Sequence, residues 1–232
     1  MKTIIDRSSS RGYANHGWLK TYHTFSFADY YNPRRMHFGA LRVLNDDTVM
    51  PGHGFDTHPH KNMEVTSIPL KGEMRHGDNI NNTEVIGRGK IQVTSTGSGI
   101  FHSEYNDSDT EVLEFLQIWV IPKIKDTTPG YHNYDISDKV NKQGISLFIS
   151  PDGPFSILQD AWFSWGNLER DSSTEYNLYG RNTGVYIFVL EGSVKIGDIE
   201  LGRRDGVGIT ETTNITIEAI EKSEILLMEV VL

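Results

Sequence analysis

The stretch G52-H-G-F-D-T-H58-P-H60-K-N-M-E64 decides the reading of this chain, together with T96-G-S-G-I-F-H102-S-E104 about forty residues further on. Each holds a pair of metal-binding side chains at alternate positions, H-x-H in the first and H-x-E in the second. Successive side chains of a β-strand point to opposite faces, so residues two apart share one. Two strands can therefore aim His58, His60, His102 and Glu104 into a common interior. Three imidazoles and a carboxylate suit a divalent first-row ion such as iron, nickel, copper, manganese or zinc, and do not choose among them. Proline inside H58-P-H60 cannot donate to a ladder, which predicts an edge or bulged strand there.

A lone histidine would mean little, because core and surface histidines are common without any ligand role. Two pairs at strand spacing, preceded by the glycine-rich turns around Gly52–Gly54 and Gly97–Gly99, are a stronger signal. Of the nine histidines, those at 16, 23, 37, 53 and 132 are read as hydrogen-bonded or solvated. His76 follows the turn K71-G-E73 and is read as structural, with a cavity-lining role open to it. No histidine lies beyond 132, so a nitrogen-rich site belongs to the amino-terminal half.

Outward from that site the chain reads as β-rich, with short apolar runs punctuated by Gly, Asn and Asp. V112-L-E-F-L-Q-I-W-V120 is apolar on both faces, as a strand buried between two layers should be. In V194-K-I-G-D-I-E-L201 the two-residue turn Gly197-Asp198 pairs Ile196 with Ile199 and Val194 with Leu201. Residues 147–149, 185–190, 215–219 and 225–231 read as further strands. The polar segment from Pro122 to Asp135, with two prolines, reads as the connection between halves, and Asp135–Val140 as a short capped helical turn.

Composition bounds the function. There is no cysteine, which excludes disulfides, thiolate metal sites and cysteine nucleophiles. Lys plus Arg number 22 against 31 for Asp plus Glu, a net charge of −9 that speaks against general nucleic-acid binding. The start, MKTIIDRSSSRGY, lacks the apolar run of a signal peptide, and no stretch reaches the length of a membrane span. The expectation is a cytoplasmic protein without membrane or direct nucleic-acid partners, and a monomer.

The same residues carry a family resemblance. Gly52 to Gly72 resembles the first cupin motif, G-x5-H-x-H-x3-E with a distal glycine, with Glu64 at the acidic position and Gly72 one residue late. G99-I-F-H102-S-E-Y-N106 is similar to the second, G-x2-H-x3-N, with Gly97 where many cupins have proline. H16-G-W-L, H23-T-F-S-F27, H58-P-H-K-N-M-E64 and T96-G-S-G-I-F-H-S-E104 narrow the resemblance to the pirin family, and to its bacterial members described as quercetin 2,3-dioxygenases. It is strongest over residues 11–122.

The resemblance implies an all-β chain of two cupin jelly-roll barrels, a bicupin. Residues 1–133 would form the metal-binding barrel and 134–232 a degenerate one without a metal. It implies His58, His60, His102 and Glu104 as ligands, with Glu104 also the proton acceptor. Glu64 has the same strand parity as His58 and His60 if one strand runs unbroken through all three, and is the ligand in many other cupins; the pirin pattern leaves it a supporting acid. The implied cofactor is one divalent transition metal, iron(II) first, with copper, nickel, manganese, zinc and cobalt also suited. The implied activity is oxidative ring opening of a flavonol such as quercetin by dioxygen, with release of carbon monoxide. Met63, Phe101 and Tyr105 are candidates to touch a flat ring, although Met63 and Phe101 are more often plain core, because residues beside barrel ligands alternate toward the opposite face. The other function the resemblance implies is a metal-dependent regulatory or redox-sensing pirin that binds a protein partner without turnover. The aromatics of Y22-H-T-F-S-F-A-D-Y-Y31 could serve such a partner and are read as packed on the barrel.

Overall fold

A computed structural model describes residues 1–232. The first half supplies β1 (Lys2–Asp6), β2 (Gly12–Asn15), β3 (Leu19–His23), β4 (Leu41–Val49), β5 (Gly54–His60), β6 (Glu64–Lys71), β7 (Glu73–Asp78), β8 (Thr83–Gly87), β9 (Lys90–Ser95), β10 (Ile100–Asn106), β11 (Leu113–Val120) and β12 (Gly130–Asp135). One helical turn, α1 (Ser137–Val140), leads into β13 (Gly144–Ile149), β14 (Ala161–Leu168), β15 (Ser173–Asn177), β16 (Thr183–Glu191), β17 (Val194–Ile196), β18 (Ile199–Leu201), β19 (Gly206–Thr210), β20 (Asn214–Ala219) and β21 (Ser223–Val231). Asp135 starts the helical turn by accepting the Ser137 N–H at 2.9 Å.

The strands form two barrels, each a large antiparallel sheet faced by a small one. In the first, the seven strands β12-β9-β6-β11-β4-β3-β2 oppose β5-β10-β7-β8. In the second, β1-β19-β16-β21-β14-β13 oppose β15-β20-β17-β18. The two large sheets stack back to back, and the 25 buried residues between them form the largest apolar cluster. This explains the doubly apolar run at 112–120. Leu116, Ile118 and Val120 of β11 face the other barrel, while Leu113 and Phe115 face their own interior. Strand β16 follows the same rule, with Tyr186, Phe188 and Leu190 on one side and Val185, Ile187 and Val189 on the other. The hairpin at 194–201 has the expected register.

The barrel interiors differ in kind. Fifteen apolar side chains fill the second, among them Ile187, Val207, Ile217 and Leu227. The first has only a six-residue apolar plug, around Met74, Ile86 and Phe115, and polar side chains line the rest.

Two segments depart from the sequence reading. Gly130–Asp135, assigned to the connection, pairs with β9 as an edge strand; both prolines precede it, so neither interrupts the ladder. Lys2–Asp6, grouped by position with the first half, pairs with β19 in the second barrel. Asp6 anchors that crossing, bonded to the Arg35 guanidinium and the Tyr186 hydroxyl at 2.9 Å each.

Candidate metal centre

Pro59 lies where its missing donor costs least, because β5 is the edge of the four-stranded sheet. Along the β5/β10 ladder His102 faces His58 and Ile100 faces His60. The register then slips, so that Glu104 is opposite Phe55, with one more residue on β5 than on β10. The strand is thus an edge strand with a bulge, which lies between Phe55 and His58, opposite the step from His102 to Glu104, while Pro59 itself stays in register with Phe101.

His58, His60 and His102 converge. One nitrogen from each lies within 4.8 Å of the other two, and the ring centroids stand 4.5–4.8 Å apart. His58 Nδ1 is 2.7 Å from the Asp56 carbonyl oxygen. Donating there fixes the tautomer and leaves Nε2 as a lone pair facing the cluster. His102 is fully buried and neither ring nitrogen has a hydrogen-bond partner. An orphaned buried imidazole is costly unless something else occupies its lone pair, and a metal ion does. Burial, reinforced by the neighbouring imidazoles, pushes His60 down to about 4 and His102 down to about 3. Both are thus neutral donors at physiological pH, as metal binding requires. The residues fit a divalent transition ion.

Glu104 does not join that group of three. Its carboxylate is bonded to the opposite sheet, with Oε1 2.9 Å from Ser67 Oγ and 2.5 Å from Gln92 Nε2, and Oε2 accepting from Gln117 Nε2 at 2.8 Å. A carboxylate offers about four acceptor positions, so Oε2 retains one. Glu64 is turned elsewhere: Oε2 accepts from Ser95 Oγ at 2.7 Å and from the Leu158 N–H at 3.0 Å, tying the barrels together. His76 is structural but close. Its ring stacks on Tyr131 at 4.3 Å, its Nε2 is 2.9 Å from Asp78, and it stands 5.5 Å from the His102 ring.

The aromatic candidates need correction. Phe101 is half exposed on the outer face of β10, and Tyr105 shares that face, bonded through its hydroxyl to Asp56. Alternation from buried His102 and Glu104 requires this. The rings around the cluster are instead Trp119, 4.8 Å from His60, Phe55, 6.4 Å from His58, and Phe27, which packs edge-on against Trp119 at 5.3 Å. Of the aromatics at 22–31, Phe25 is buried, while Tyr22 and Tyr31 face solvent. Sequence reasoning also missed Ser67, Gln92 and Gln117. The one available signal was Gln117, a lone amide within an apolar run.

Fold and site together define a two-barrel cupin with one histidine-rich metal centre. The Pirin family model matches residues 6–120, and that of the quercetinase C-terminal cupin domain matches 147–230. The chain belongs to the pirin family. It is 42% identical to the quercetin 2,3-dioxygenase of Escherichia coli (strain K12) over 97% of each chain, and 37% identical to a pirin-like protein of Caulobacter vibrioides over 97% of this chain and 99% of that one. Among solved structures, the bacterial pirin YhhW of Escherichia coli in complex with nickel(II) superposes with a TM-score of 0.93 at 39% identity, covering 99% of both chains.

Proposed function

We propose that this protein is a metal-dependent dioxygenase that opens the heterocycle of a flavonol such as quercetin with dioxygen and releases carbon monoxide. The observation that carries this reading is the buried, partnerless His102 beside His58 and His60, in a family whose similar members are named for that activity. On this reading His58, His60, His102 and Glu104 hold one divalent ion, iron(II). That ion, when bound, supplies the Lewis acidity and redox chemistry that flavonol oxygenation needs.

The chain's own residues do the rest. Ser67, Gln92 and Gln117 clamp Glu104 and leave one lone pair on Oε2, which would complete the donor set in the substrate-free site and, with the flavonol bound, would instead take the proton of its 3-hydroxyl. Trp119 and Phe55 flank the histidines with apolar surface that keeps water from a flat substrate. Residues 1–133 carry the chemistry on this account, and 134–232 support it with an interior already filled. We read the chain as a cytoplasmic monomer that takes small molecules; its net charge is −9, and no helix is long and apolar enough to cross a membrane.

The test is dioxygen uptake and carbon monoxide release by iron-loaded protein with quercetin. The parent consumes dioxygen and releases the gas, and Glu104→Gln lowers kcat by about a hundredfold or more. Parental kcat in Glu104→Gln removes Glu104 from the mechanism, and no uptake by the parent removes the dioxygenase.

A further inference from the structure

A cavity of about 440 Å³ opens beside the metal centre, between the strand pair β2–β3, the segment after it and β5. Tyr13, Phe27, Tyr30 and Phe55 wall it, and His23 and Asp47 are polar groups on its floor. The floor is continuous with the Glu104 clamp. In the large sheet His23 pairs with Asn45, Asn45 with Gln117, Gln117 with Ser67 and Ser67 with Gln92. From His23 to Gln117 is two strand spacings, about 10 Å. A flat molecule of that length whose reacting end sits at Glu104 can place its far end over His23.

Each of these two polar groups keeps one atom without a partner. His23 is only 4% exposed; its Nδ1 is engaged, 2.9 Å from Asn45 Oδ1 and 3.4 Å from Thr21 Oγ1. Its Nε2 has no partner in the chain and, unlike the nitrogens of His102, is not sealed off by protein. Asp47 beside it, also 4% exposed, has one oxygen without a partner, but that oxygen is sealed within the protein, which leaves His23 Nε2 as the acceptor the cavity presents. Buried polar atoms without partners are rare, and a pocket that presents them favours a ligand able to hydrogen-bond them over one that cannot. The His23 ring lies between Phe27, 5.3 Å away, and Tyr30, 6.3 Å away, so the site offers aromatic walls with a polar end.

We propose that this cavity receives the pendant aryl ring of the flavonol, and that His23 Nε2 hydrogen-bonds a hydroxyl on that ring and selects for ring-hydroxylated substrates. The inference rests on the flavonol reading above and adds the residue that chooses among flavonols. Burial lowers the His23 pKa, so the imidazole is neutral at physiological pH. With Nδ1–H donated to Asn45, Nε2 accepts a phenolic O–H.

The test is equilibrium binding by quenching of tryptophan fluorescence, on nickel-loaded full-length protein under nitrogen. The ligands are quercetin and its analogue without the two pendant-ring hydroxyls. The parent binds quercetin about tenfold more tightly, and His23→Leu brings the two Kd values level. Ala14→Phe, at a lining position on the partly exposed strand β2, narrows the cavity without adding a tryptophan to the readout, and weakens both ligands about tenfold or more. Equal affinities in the parent, a preference that survives in folded His23→Leu, or unimpaired binding to Ala14→Phe each overturn the proposal. A preference that His23→Leu abolishes, with no dioxygen uptake in air by the iron-loaded parent, sustains the aryl pocket and removes the dioxygenase. No binding of either flavonol removes both.

Discussion

Asp47 shows how much of this interior is polar by design of the fold and not of the surface. Burial, with Asp46 and Glu104 adding to it, pushes its carboxyl up from 3.8 to about 7. Between those values the folded chain holds a proton that the unfolded chain has released, so this group makes stability fall as pH rises from about 4 to about 7, and no further above that. Asp47→Asn removes the effect. In urea melts of metal-free protein the variant gains on the parent progressively across that window, by a few kcal/mol at about pH 8 relative to about pH 4. A constant difference at every pH contradicts this. At the residue scale the convergence of His58, His60 and His102 was legible because alternation is a short-range rule, whereas Ser67, Gln92 and Gln117 were not. They meet Glu104 across the barrel, from strands whose order no local pattern encodes.

At the scale of elements the centre depends on how closely β5 approaches β10. Gly54 faces Tyr105 across that ladder, and a Cβ there would run into the Glu104 carbonyl oxygen. Gly54→Ala must push the strands apart four residues before His58. It is expected to destabilise the protein by about 1–3 kcal/mol and weaken metal binding about tenfold or more. Denaturant melts and metal titration check the two effects, and parental values for both contradict the account. Pro59 marked the edge strand in advance, since proline cannot donate to a ladder, whereas the bulge lies nearer the amino terminus, at 56–57, and had no sign of its own. The strand at 130–135 was hidden because it alternates weakly and follows two prolines, and only its pairing with β9 gives it a place.

The whole molecule is two barrels joined by their large sheets, and its stability should concentrate in that seam. Ile118 is fully buried there in the 25-residue cluster. Ile118→Ala costs about 2–5 kcal/mol by chemical denaturation, with both barrels unfolding in one transition. Two separated transitions in the parent contradict the seam's role. The seam was legible as doubly apolar runs, yet the pairing of β1 with β19 was not. Five residues at one end carry no sign of a partner some two hundred positions away. The inequality of the halves was legible, because all nine histidines precede residue 133. The most direct test of the central claim is elemental analysis of purified protein beside His58→Ala/His102→Ala, followed by dioxygen uptake with quercetin on the same samples after iron loading. The account predicts one divalent ion per parent chain, none in the folded variant, and uptake by the parent alone. Equal metal in both, or uptake that survives the double substitution, contradicts it.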